Sequence, residues 1–170
     1  GYDVKRVMNI TDVGHLSSDA DTGEDKMLKG AKREHKTVME VAKFYADAFF
    51  EDCRKLNIKK ADVVEPATHC IPEFIHMIEV LLKKGYAYQA GGNVYFDTSR
   101  LEDYFVFSSA VEKEQLQVGV RDDVEEDENK RNKNDFVLWF TKSKFEDQAL
   151  KWDSPWGVGY PGWHIECSCI

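Results

Sequence analysis

The last ten residues, PGWHIECSCI, combine a histidine, a glutamate and two cysteines in one short segment. In a helix, His164 and Cys167 would share a face, whereas in a strand Cys167 and Cys169 would do so. Either arrangement offers two soft ligands for Zn²⁺, and tetrahedral zinc usually takes three or four ligands from the protein. The segment therefore has three interpretations: a packed tail, a complete zinc site, or half of an active site.

A complete zinc site would need further ligands from within the chain, and His69 and Cys70 are the candidates. The spacing of these residues matches no common zinc-finger pattern. A buried cysteine is more often a small apolar residue than a metal ligand. That interpretation is favoured for Cys70 and for Cys53, which lies on an apolar helix stripe.

Two other positions are candidates for ligand contacts. Trp163 follows Gly162, and it either seals the edge of a core or forms an apolar wall for a small ligand near the glycine backbone. Thr11 and Asp12 follow a predicted strand, and in open α/β sheets ligands bind beyond the carboxyl ends of strands. From the residues alone, the favoured interpretation is that Asp12 caps the turn and Thr11 ends the strand.

The helices that must position these residues are predicted from periodicity and end signals. Thr37 and Glu40 have the spacing of a capping box. Apolar residues then recur every three or four positions, which predicts a helix that ends near Asn57. A second helix is predicted to begin at Pro72 and to end at Gly85.

Strand-like segments alternate with polar ones along the rest of the chain. DVKRVMNI predicts a short buried strand, and the acidic TDVGHLSSDADTGEDK predicts a long loop after it. Aromatic runs on both sides of Gly91-Gly92 predict a hairpin, and DFVLWF is again apolar. The polar residues 111–134 predict a solvated, mobile surface segment. This order predicts an α/β layer interrupted by a small β-rich module.

Composition excludes several classes of protein. The 170 residues suit one domain with a small insertion, and the net charge of -8 argues against generic DNA or other nucleic-acid coating. The longest apolar run, Phe136–Phe140, is too short for a membrane span, and the first residues contain no signal peptide. The four cysteines form no disulfide framework, which indicates a reducing, cytoplasmic location. The chain begins without methionine, directly in strand-like sequence, which predicts a part of a longer protein.

Four segments together resemble the cysteinyl-tRNA synthetase family of class I aminoacyl-tRNA synthetases. They occur in order, cover essentially the whole chain and are specific only in combination: GYDVKRVMNITDV, EPATHCIPEFIHMIEVLLKKGYAY, GGNVYFDTS and WDSPWGVGYPGWHIECS. The resemblance implies a doubly wound, Rossmann-like catalytic domain with a small β-rich connective insertion. Residues 1–84 would belong to the Rossmann-like domain, 85–151 would form the insertion, and 152–170 would return to the domain.

The resemblance also implies a ligase that joins cysteine to ATP, with Mg²⁺, and transfers it to tRNA(Cys). In the family, zinc binds the thiolate of the substrate cysteine and is held by two cysteines, a histidine and a glutamate. The matching ligand here is Cys167. Trp163 would line the amino-acid pocket with His164 nearby, and Thr11 would approach the polar end of the substrate. No residue of the chain is an obvious general base, so none is assigned as catalytic.

Zinc gives a physical reason for selecting cysteine over serine. The two amino acids differ by one atom, and an ordinary pocket gains only about 1–3 kcal/mol from such a difference. A zinc–thiolate bond changes the type of interaction, since Zn²⁺ favours a deprotonated sulfur over a neutral hydroxyl.

The chain departs from the family pattern in several places. The first zinc cysteine and the HIGH-type motif would precede Gly1, while the remaining ligands and the KMSKS-type loop would follow Ile170. The chain alone is therefore predicted to bind zinc poorly and not to activate cysteine. TDVGHL replaces the commoner TDVDDK, and ECSCI replaces ECSAM, which leaves Cys169 as an extra thiol.

Two alternatives remain beside the cysteine–tRNA ligase. A related enzyme that attaches cysteine to an amino sugar in mycothiol biosynthesis would share the zinc chemistry. A non-catalytic module would build its own zinc site from five side chains: His69, Cys70, His164, Cys167 and Cys169.

Overall fold

The structure, a computed structural model, describes residues 1–13, 26–102, 104, 127–142 and 148–170, without the side chains of residues 26–29. These ranges contain helices, strands and two short 3₁₀ turns, Ala67–His69 and Thr98–Arg100. The elements are β1 (Val7–Ile10), α1 (Lys26–Glu34), α2 (Val38–Lys55), β2 (Val63–Pro66), α3 (Ile71–Lys84), β3 (Ala87–Ala90), β4 (Asn93–Phe96), β5 (Phe136–Phe140), β6 (Tyr160–Pro161) and α4 (Trp163–Cys169). The predicted α/β class is confirmed.

The strands form two sheets of different kinds. β1 and β2 are parallel, with Val7 opposite Val63 and Ile10 opposite Pro66. Because parallel strands run in the same direction, their carboxyl ends meet at one edge of the sheet. The second sheet is antiparallel and has the order β3-β4-β5-β6.

Local sequence signals explain the ends of α2 and α3. The predicted capping box is present: Thr37 accepts a hydrogen bond from the Glu40 amide at 3.2 Å, and the Glu40 carboxylate accepts one from the Thr37 amide at 2.8 Å. Helix α3 ends at Gly85, whose φ of 77° lies in the left-handed region where glycine is favoured. Gly91 and Gly92 also have positive φ, as the predicted hairpin turn requires.

Helix α1 is absent from the sequence prediction, which contains no helix before the one that starts at Thr37. The predicted loop extends to Lys26, but Lys26 begins α1. Ala31 of this helix packs with Val38 and Val41 of α2, so tertiary contact stabilises a segment that lacks a strong N-terminal signal. Residues 14–25 of the predicted loop lie outside the described residues.

The apolar stripe predicted for α2 exists but is only partly covered. Val38 and Val41 are buried, whereas Tyr45, Phe49 and Leu56 are exposed in the described structure. Tyr45 is anchored at its hydroxyl, which donates to a Glu34 carboxylate oxygen at 2.9 Å.

The main core joins α3, α4 and one face of the antiparallel sheet. Phe74 and Ile78 of α3, Trp139 of β5 and Ile165 of α4 are its largest fully buried apolar side chains. The buried members of this core are Val13, Ala67, Ile71, Phe74, Ile78, Ala87, Val94, Leu138, Trp139 and Ile165. Helix α4 is therefore fixed to the same core as α3.

A polar network fastens the loop before β5 to the antiparallel sheet. Asp135, which is 1% exposed, accepts hydrogen bonds from the Tyr88 hydroxyl at 2.7 Å, the Thr98 amide at 2.9 Å and the Asn132 amide at 3.0 Å. Burial alone would raise the pKa of Asp135, but these hydrogen bonds outweigh it and lower that pKa. Burial is also the main reason that the pKa of Tyr88 rises to about 12.

Part of this network lies in the segment 111–134, which the sequence predicts to be a mobile surface segment. Residues 111–126 lie outside the described residues. In the described remainder, the Asp127 carboxylate accepts a hydrogen bond from the Tyr95 hydroxyl at 2.7 Å and another from the Asn129 amide at 3.0 Å. This end of the segment is therefore bonded to β4, although most of its side chains are exposed or half-buried.

Among the described helices, none combines the length and the apolar character that crossing a membrane would require.

Candidate functional site

The carboxyl ends of β1 and β2 are joined by a buried carboxylate. Asp12 is 5% exposed and accepts hydrogen bonds from the Thr68 amide at 2.9 Å and from the Thr68 hydroxyl at 2.6 Å. Asp12 thus binds the 3₁₀ turn that follows β2, whereas the sequence predicted that it caps the turn directly after β1. Thr11, beside it, is exposed at this edge.

A glycine allows α4 to start directly against β5. The Gly162 amide donates to the Leu138 carbonyl at 2.9 Å. A Cβ at position 162 would lie 2.0 Å from the Val137 carbonyl oxygen, so no other residue fits without displacing the backbone. This close approach fixes the point at which Trp163 enters the helix.

The segment WHIECSC is helical, so His164 and Cys167 lie one turn apart. Trp163, His164 and Cys167 are exposed, whereas Ile165 and Glu166 are buried. The three exposed residues form one side of α4, and Trp163 is 50% exposed. The structure therefore presents an aromatic ring, an imidazole and a thiol on the same helix face.

One contact brings that face to the end of β1. The Nδ2 atom of Asn9 lies 3.9 Å from the Cys167 sulfur, a distance at which an amide can donate to sulfur. Asn9 is two residues before Thr11, so the thiol lies next to the edge that also carries Thr11. Sequence reasoning did not single out Asn9, although its position near the end of a strand, within NITD, was a usable signal.

An aromatic contact fixes the imidazole of His164. Its ring centroid is 4.2 Å from that of Phe136, with an angle of 44° between the planes. Phe136 in turn stacks on Phe96, with centroids 5.2 Å apart and planes 10° apart. The antiparallel sheet thus packs against the His164 imidazole through Phe136. This contact was not predicted from the sequence.

The remaining cysteines near this region have a different environment. Cys70 and Cys169 are half-buried and pack against the main core. Burial raises the pKa of both the Cys70 and the Cys169 thiol, which favours their protonated form. The structural interpretation of Cys70 is consistent with this environment.

The five side chains of the possible self-contained zinc module do not come together in the described structure. All five of its side chains are described, and in the described part of the chain no three histidine, cysteine, aspartate or glutamate residues come together as a metal site. The reason is geometric: in a helix Cys167 and Cys169 point to different sides, one to the surface and one to the core. His69 lies 3.2 Å from the Glu65 carboxylate instead.

Comparison with known proteins decides the family. Residues 1–170 match the family model described as tRNA synthetases class I (C) catalytic domain. The chain belongs to this family. The described residues form an α/β fold with a parallel strand pair and an additional antiparallel sheet, and the family model assigns this fold to a class I synthetase catalytic domain.

Its relatives in this synthetase family are named cysteine–tRNA ligases. The chain is 55% identical over 170 residues to the one from Treponema denticola, covering all of this chain and 34% of that protein. It is 53% identical over 173 residues to the one from Treponema pallidum (strain Nichols), covering 100% of this chain and 33% of that protein. It is 49% identical to the one from Borrelia garinii subsp. bavariensis, covering 100% of this chain and 35% of that protein. The chain therefore spans about a third of the length of these relatives.

Proposed function

We propose that this chain is part of a cysteine–tRNA ligase and carries one side of its cysteine-binding site. The observation that carries the proposal is the exposed Cys167 thiol, held beside Asn9 at the carboxyl edge of the parallel strands. The relatives named cysteine–tRNA ligase, which are 55% and 49% identical to this chain, support the same assignment. The full-length protein would use cysteine, ATP with Mg²⁺ and tRNA(Cys), in the cytoplasm.

The chemistry of Cys167 fits a zinc ligand. Its sulfur is a soft donor, it is exposed on the helix, and it faces a polar strand end rather than the apolar core. Cys167 would be one ligand, and the others would come from parts of the full-length protein outside these residues. Zinc bound there would supply a Lewis acid that prefers the thiolate of cysteine to the hydroxyl of serine.

The neighbouring residues would bind and orient the substrate. The half-exposed indole of Trp163 would form an apolar wall, and His164 would present its imidazole from a position fixed by Phe136. Thr11 would approach the polar end of the amino acid from the strand edge. In this scheme the chain contributes positioning rather than a general base.

The proposed division into domains has partial physical support. Residues 1–84 contain the parallel strands, and most of the antiparallel sheet lies in 85–151. Residues 152–170, which would return to the catalytic domain, contribute β6 to that second sheet through Trp139 opposite Pro161. The return segment would thus be held by the insertion as well as by the catalytic domain.

The test uses the full-length protein with Cys167→Ser, and Ser168→Ala as the matched control. We expect wild type and the control to bind one zinc per protein and to charge tRNA(Cys), and Cys167→Ser to lose both. Bound zinc is measured by elemental analysis and charging by acid-gel assay. Unchanged zinc in Cys167→Ser would contradict the proposal, and a product on an amino sugar instead of tRNA would favour the mycothiol alternative.

A second arm tests residues 1–170 by themselves. We propose that they bind zinc weakly and do not support cysteine-dependent exchange between ATP and pyrophosphate, because Cys167 would be a single ligand. Tight, stoichiometric zinc in this segment would overturn that part of the proposal.

A further inference from the structure

Asn9 makes the contact that joins β1 to the proposed zinc ligand. We propose that Asn9 is a positioning residue whose amide donates a hydrogen bond to the Cys167 sulfur and holds it in the orientation that binds metal. This inference rests on the proposed function and adds a residue to it.

The geometry supports a fixed donor. The Asn9 backbone is held in the parallel ladder opposite Glu65, so the position of its side chain is tied to the sheet rather than to a loop. Its Nδ2 atom is 3.9 Å from the Cys167 sulfur, and sulfur accepts hydrogen bonds at longer distances than oxygen does. Cys167 itself lies on a helix whose start is fixed against β5 by Gly162. Donor and acceptor are thus set by two separate elements.

The chemistry favours an amide at this position. An asparagine Nδ2 group only donates, and a metal-bound thiolate is a charged acceptor, for which hydrogen bonds are stronger than between neutral groups. Partners of this kind orient the ligand atom, and their removal typically weakens metal binding about 10- to 100-fold. Leucine has nearly the shape of asparagine but has no donor.

The experiment measures zinc affinity of the full-length protein by competition with a chromogenic chelator. We expect Asn9→Leu and Asn9→Ala to weaken zinc binding about 10- to 100-fold. Ser168→Ala is the matched control, because the Ser168 hydroxyl donates to the His164 carbonyl at 2.7 Å and not to Cys167. Thermal unfolding of the zinc-free proteins shows whether each variant is folded, and Asn9→Ala serves if leucine disturbs the strand.

A spectroscopic readout separates positioning from a general structural effect. In the cobalt-substituted protein, loss of a hydrogen bond to the thiolate should shift the sulfur-to-cobalt charge-transfer band to longer wavelength in both Asn9 variants and not in Ser168→Ala. If wild type binds zinc through Cys167 but the Asn9 variants match the control in affinity and spectrum, the inference is wrong and the proposed function stands. If wild type binds no zinc, the proposed function itself fails.

Discussion

At Gly162 the absence of a side chain determines where a functional helix begins. The backbone runs so close to β5 that a Cβ would overlap the Val137 carbonyl oxygen. Because carbonyl oxygens of a paired strand cannot rotate away, the overlap would be relieved only by moving α4. Trp163, His164 and Cys167 would move with it, so this glycine affects both stability and the site.

Gly162→Ala is therefore expected to lower the free energy of unfolding by about 2–3 kcal/mol, measured by urea denaturation of the full-length protein. Gly30→Ala is the matched control. Its Cβ would meet Val41 Cγ1 at 3.6 Å, an ordinary contact, and alanine favours a helix interior, so a gain of about 0.5–1 kcal/mol is expected. Equal unfolding midpoints for Gly162→Ala and wild type would show that the close approach is not maintained.

At the scale of single elements, helix α2 begins with a complete capping box. Thr37 and Glu40 satisfy each other's amides, and the Thr37 hydroxyl also lies 2.8 Å from the Glu40 carboxylate. The hydrogen bond from the Thr37 amide is the main reason that the pKa of Glu40 is lowered. The signal is local, which explains why the sequence alone predicted this start correctly.

Thr37→Ala removes the acceptor for the Glu40 amide and should lower the free energy of unfolding by about 1 kcal/mol. Thr37→Ser keeps the hydroxyl and should remain within about 0.5 kcal/mol of wild type. Chemical denaturation followed by circular dichroism measures both. A Thr37→Ser variant as unstable as Thr37→Ala would attribute the effect to the lost methyl group instead.

At the scale of the whole molecule, buried tyrosines connect stability to alkaline pH. Burial raises the pKa of Tyr88 from its ordinary value of 10 to about 12 and also raises that of Tyr95. A tyrosine with a raised pKa in the folded state contributes stability that is complete below its unfolded pKa and is lost as pH rises through the folded pKa. The relevant window is therefore from about pH 10 to 12.

The free energy of unfolding of the protein should fall across this window. Tyr88→Phe should be less stable at neutral pH, since Asp135 loses a donor, but its stability should decline less steeply between pH 10 and 12. Tyr2→Phe, at an exposed position, should show the same slope as wild type. Equal slopes for all three proteins in urea titrations would mean that Tyr88 ionises normally.

The sequence predicted what depends on neighbouring residues and missed what depends on distant ones. The capping box, the left-handed Gly85 and the hairpin glycines each act within a few positions, and the structure has all of them. Helix α1 depends on packing against α2, and the Asp135 network joins residues far apart in the chain, so neither has a local pattern.

The candidate site shows the same difference between features set by neighbouring residues and features set by distant ones. Spacing in PGWHIECSCI left a helix and a strand open, and only the resemblance to a family singled out Cys167. The contact between Asn9 and Cys167 joins opposite ends of the chain and depends on the tertiary fold. The roles of Thr11, Trp163, His164 and Cys167 stay predictions until ligand binding is measured.

The order of strands in the antiparallel sheet also affects how the protein is made. β3 and β4 are adjacent in the sequence, but β4 must also pair with β5, which is synthesised much later. At about 5–20 residues per second, the free edge of β4 waits for some seconds with its amides and carbonyls available to other strands. Nascent chains halted before Phe136 should therefore need a chaperone more than chains that include β6.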